Sequence, residues 1–106
     1  MNDTAYPALK QLVTAYFNQD WDLEYNTETE VISDYARTNW RDDVEQAIEE
    51  INRYLREHPT NLLADFEAEL APDIIIGAND DEARAWLIRA RDQLQSELVY
   101  APSRPS

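Results

Sequence analysis

The chain has 106 residues, 43% apolar and 10% aromatic, enough for one hydrophobic core and too few for two. Twenty-two acids against nine bases leave a formal charge of −13, which opposes binding to nucleic acid or to anionic membrane surfaces and favours a basic partner. The absence of cysteine excludes disulfides and thiolate metal sites, and without a leader-like opening or an apolar run near ~18 residues the expected location is the cytoplasm.

Only one glycine occurs and no Asn-Gly or Asp-Gly hairpin signal, a composition suited to helices joined by short polar turns. Pro7 opens the first helix, which carries Leu9, Leu12, Val13, Tyr16 and Phe17 at helical spacing. Thr27 with Glu30 three residues on forms a capping-box pattern for a second helix, with Val31, Ile32 and Tyr35 as its stripe and an end near Asn39. The third runs from about Asp42 to His58. Its buried face is Val44, Ala47, Ile48, Ile51, Tyr54 and Leu55, and Glu45, Glu49, Glu50, Arg53 and Arg56 are expected in water. Pro59 terminates it. Thr60 is expected to cap a short fourth helix with Leu62, Leu63, Phe66 and Leu70, closed by Pro72. Ile74, Ile75 and Ile76 read as a buried connection, too short for a sheet. Asn79 and Glu82 then cap a last helix with Ala83, Trp86, Leu87, Ala90, Leu94 and Leu98 inward. The fold class is all-α, a compact single-domain bundle of about five helices over residues 1–100, with 101–106 expected as a disordered tail.

The segment from Asn18 to Ala36 holds six acids and no base, the first three alternating with Trp21, Leu23 and Tyr25. Asp20, Asp22, Glu24 and Asn26 sit at alternate positions, as in the opening of a calcium-binding loop. The sixth position of such a loop needs glycine and is Tyr25; the twelfth needs Glu and is Val31, so no metal is expected here. The lone histidine, His58, lies in a last helical turn, where a positive group contacts the carbonyl end favourably. Without a cysteine or second histidine the usual nucleophile–base pairs are missing, and Asp42–Asp43 and Glu49–Glu50 read as solvated helix faces. No catalytic residue and no cofactor are expected. With Trp21 and Tyr25 turned inward, Asp20, Asp22 and Glu24 turn outward, and Glu28, Glu30 and Asp34 continue the acidic display.

Tyr6-Pro7-x-Leu9-x-x-Leu12, followed by Ala15-Tyr16-Phe17-x-Gln19-Asp20-Trp21-Asp22-Leu23-Glu24-Tyr25, resembles the opening of contact-dependent growth inhibition (CdiI-type) immunity proteins. Ala83-x-x-Trp86-Leu87 fits the same pattern more loosely, and the match is densest over residues 6–36. Members often carry Gly after the Glu-Tyr pair. Asn26 stands there, the residue next best suited to a left-handed turn. The resemblance implies a small helical protein that binds and neutralises a toxin C-terminal domain, frequently a nuclease, as a heterodimer and without catalysis. Charge agrees: a nuclease presents a basic cleft, and the acids at 20, 22, 24, 28, 30 and 34 are the expected contact residues. The alternative is an acidic adaptor or nucleic-acid mimic that blocks another basic protein; an acid-based hydrolase is the third reading.

Overall fold

Proline without an N–H begins helix α1, Pro7–Gln11, in the computed structural model, which describes residues 5–72, 74–103 and 105. The helix runs on into a π turn, Leu12–Tyr16, closed by the Phe17 N–H donating to the Leu12 carbonyl at 3.0 Å. The wider turn lets Leu12, Val13 and Phe17 all be fully buried. A single turn, α2 (Trp21–Glu24), leads to α3 (Glu28–Thr38), α4 (Arg41–Glu57), α5 (Leu62–Leu70) and α6 (Asp80–Glu97), and a 3-10 turn at Leu98–Tyr100 follows. The molecule is thus an all-α single domain with no strand among the described residues. Helices α4 and α6 form its spine: α1 packs on α4, α5 on α6, and α3 on both. The Cα radius of gyration, 13.3 Å, is close to the ~13 Å expected for a folded chain of this length.

The two capping boxes form. Thr27 Oγ1 accepts from the Glu30 N–H at 3.2 Å and Asn79 Oδ1 from the Glu82 N–H at 2.9 Å. The glutamates reach back one residue further than the cap, to the N–H of Asn26 (2.9 Å) and of Ala78 (2.8 Å). Asn26 is not left-handed; the positive φ angles of the described non-glycine residues fall at Asn61 (55°) and Ala71 (46°), which bracket α5. Asn61, rather than Thr60, is the N-cap of α5, and its side chain makes no capping bond. The orphan N–H of Leu63 is met instead by Asp80 Oδ1 at 3.0 Å, from the start of α6. The segment expected as a tail begins docked: Ala101 is buried and the Arg41 N–H, at the head of α4, donates to the Pro102 carbonyl at 2.7 Å. Arg104 and Ser106 lie outside the described residues.

Glu50 departs most from the sequence expectation. It is 0% exposed, and its Oε1 accepts from the Leu9 N–H at 2.9 Å while Gln46 Nε2 donates to its Oε2 at 2.9 Å. Leu9 stands in the first turn of α1, where backbone N–H groups have no intrahelical acceptor and the helix dipole favours an anion. A carboxylate placed at the edge of the apolar face of α4, one turn from Ala47 and from Tyr54, therefore caps α1 from across the core. The isoleucine run divides as well: Ile74 and Ile76 are buried and Ile75 is 78% exposed. Gly77 lets this connection pass close to α6, since a Cβ there would lie 2.7 Å from the Ala83 nitrogen.

Candidate functional site

The acidic segment is built around aromatic buttresses. Phe17, at the end of the π turn, receives Trp21 edge-on at 5.5 Å between centroids and stands edge-on to Trp86 of α6 at 5.6 Å. Tyr25 closes α2, and its hydroxyl donates to Asp34 Oδ2 at 2.5 Å. That bond, with burial second, pushes the Tyr25 phenol up to about 12. Between these anchors the chain makes one helical turn, so the alternate acids are not wound into the loop a calcium motif requires. Asn18 Oδ1 accepts from the Asp20 N–H at 2.9 Å and fixes the entry to the turn. Trp21 and Tyr25 are half-buried against the core, whereas Asp20, Asp22 and Glu24 are exposed and form no ion pair among the described residues. Leu23, 81% exposed, stands among them.

The other three acids have internal partners. Glu28 Oε1 accepts from Trp86 Nε1 at 2.8 Å and is half-buried; Glu30 serves the cap at Asn26; Asp34 holds Tyr25. The expected display of six carboxylates is therefore three outward and three tied into the scaffold. Arrayed carboxylates in water can pair with Lys and Arg side chains and steer a basic body toward the turn.

Two further features were not legible from sequence pattern. His58 does not rest on helix carbonyls alone: its Nδ1 lies 2.9 Å from Asp65 Oδ2, its Nε2 3.6 Å from Glu69 Oε1, and its ring stacks on Tyr54 at 4.0 Å. An open groove of about 530 Å³ between α5 and α6 is lined by Leu63, Glu67, Asp80 and Asp81 among others, a second acidic concavity. The signals that could have found them are weak: Asp65 and Glu69 share a face at i, i+4, but nothing local links that face to His58 or α5 to Asp80. Leu23 is visible in the opening motif, yet only the one-turn helix reveals that it points to solvent.

No helix is long and apolar enough to cross a membrane among the described residues. Comparison with curated proteins and with solved structures returns no match. A model of the CdiI immunity protein family matches residues 5–94, which takes in the buttressed turn, Glu50 and all but the end of the α4–α6 spine. Spanning most of the chain, that match carries the assignment: the chain belongs to the CdiI immunity protein family and serves immunity to a contact-dependent growth inhibition toxin.

Proposed function

We propose that the chain neutralises its toxin by one-to-one complex formation in the cytoplasm, that the toxin domain is a basic nuclease, and that Asp20, Asp22 and Glu24 face it. The observation that carries this reading is the set of three exposed, unpaired carboxylates on a turn braced by Trp21 and Tyr25. A rigid display loses little entropy on binding, which favours affinity, and a potential opposite to that of a nucleic-acid-binding cleft raises the association rate, up to ~10⁸–10⁹ M⁻¹s⁻¹ at low salt. Glu28, Glu30 and Asp34, expected as contacts, contribute by holding that turn. Immunity by this route is binding and turns over no substrate.

The toxin domain encoded beside this chain, titrated with the purified protein in RNA and DNA cleavage assays, tests the reading. Cleavage should vanish at one equivalent, and light scattering should give the mass of a heterodimer. Protection at well under one equivalent would refute stoichiometric inhibition, and a toxin that cleaves neither nucleic acid would refute the nuclease assignment.

A further inference from the structure

The C-terminal end of α4 and the outer face of α5 bring an imidazole and two carboxylates together. One ligand atom from each of His58, Asp65 and Glu69 lies within 4.8 Å of the others, with Nδ1 of His58 only 2.9 Å from Asp65 Oδ2. The arrangement follows from local chemistry. Pro59 halts α4 so that His58 is its C-cap, at the carbonyl end, where a cation is favoured. Asp65 and Glu69, one turn apart on α5, face that end together. Their side chains are 42% and 43% exposed, so the site is open to solvent, while the imidazole, 15% exposed and stacked on Tyr54, is held in place.

A second observation points to an occupant. The Tyr54 hydroxyl is buried with no hydrogen-bond partner, alone in this among buried side-chain polar atoms of the described residues. Its ring lies face to face with His58, 4.0 Å between centroids. Buried hydroxyls in folded proteins nearly always have a hydrogen-bond partner, so this one calls for an explanation.

We infer that His58, Asp65 and Glu69 form a divalent transition-metal site, with zinc as its type ion, completed by water that also meets the Tyr54 hydroxyl. One imidazole nitrogen and two carboxylate oxygens suit zinc, cobalt or manganese rather than calcium, which takes oxygen alone. Metal bonds of ~2.0–2.2 Å put neighbouring ligand atoms about 3 Å apart or somewhat more. Asp65 Oδ2, 2.9 Å from Nδ1, is already close to this, and Glu69 Oε1, 3.6 Å from Nε2, would swing toward Nδ1 to join it. The metal would join α4 to α5 at the loop that carries the left-handed Asn61.

The test is thermal unfolding of chelator-treated protein with and without zinc chloride, with cobalt absorption as an independent readout. Zinc at 100 times its dissociation constant stabilises a protein by ~2.7 kcal/mol, about 10 °C in Tm for a domain of this size. Cobalt should give a visible d–d band. His58→Asn and Glu69→Gln should each remove both responses; Glu69 is exposed, so its variant keeps the test sound if His58→Asn fails to fold. Glu45→Gln, on another exposed surface, should retain both. A wild-type protein indifferent to zinc and cobalt overturns the inference, leaving a histidine that only contacts its acidic neighbours. An equal response in wild type and Glu69→Gln overturns it too, as diffuse binding to an acidic surface.

Discussion

Glu49 and Glu50 are chemically identical neighbours with opposite surroundings, and their alanine variants should differ sharply in stability. Glu50→Ala removes one buried methylene, ~0.8 kcal/mol, together with the carboxylate. It also leaves the Leu9 N–H without an acceptor inside the core, which costs about 1–3 kcal/mol. Release of a carboxylate from a dry environment, and alanine's better helix propensity, offset part of this. The net loss is about 1–3 kcal/mol, or roughly 5–15 °C in Tm. Glu49 is exposed and only 3.8 Å from Arg53 in an i, i+4 pair, so Glu49→Ala should stay within about 0.5 kcal/mol of wild type. Glu50→Gln keeps an acceptor for Leu9 and should fall between the two. Urea unfolding at neutral pH, followed by circular dichroism, measures all three. Equal midpoints for Glu49→Ala and Glu50→Ala would refute the view that Glu50 caps α1.

Three other outcomes are expected. Reversal of Asp20, Asp22 and Glu24 to Lys should leave the helices formed, slow toxin association and flatten its salt dependence in stopped-flow measurements, whereas reversal of Glu45, Glu49 and Asp92 should do so much less; equal slowing would reduce the acidic turn to bulk charge. Trp86→Ala should cost ~3–5 kcal/mol, since the ring is 5% exposed and bonded to Glu28, and Trp21→Ala clearly less, since that ring is half-buried; the reverse order in denaturant midpoints would contradict the buttress geometry. At Glu97, burial raises the carboxyl pKa, but hydrogen bonds from Ser33, Gln93 and Arg37 outweigh it and hold the group below its ordinary value. Its stabilising contribution is complete above the normal carboxylate range and drains away as pH falls through that lower value, so acid unfolding followed from pH 6 downward should show a shallower loss for Glu97→Gln than for wild type.

Patterns that act within a few residues were legible before any coordinates. Both capping boxes, the inward stripes of α4 and α6, and the outward turn of Asp20, Asp22 and Glu24 follow from spacings of two to four residues, which helix geometry fixes directly. What escaped the sequence lies at helix ends met by partners far along the chain. Glu50 caps α1, Asp80 caps α5 and the Pro102 carbonyl caps α4. A local rule reads Glu50 as polar and hence exposed, and credits Thr60 with a cap it does not make. Glu28 and Asp34 misled in the same way: each sits on a helix face that looks solvated until Trp86 and Tyr25 are placed against it.

The Leu9–Glu50 bond also has a bearing on how the chain is made. Its partners are 41 residues apart, so α1, once clear of the ribosome, waits for the middle of α4 before its leading turn is complete. At ~5–20 residues per second that interval is roughly 2–8 s. Phe17 waits longer still for Trp86, its neighbour across the core. A helical protein whose contacts were all local would assemble turn by turn as it emerges. Here the turn after α1 can pack on α3 early, through Tyr16 against Tyr35, but the leading turn of α1 is capped only once α4 is made and the acidic turn is braced only once Trp86 of α6 is in place.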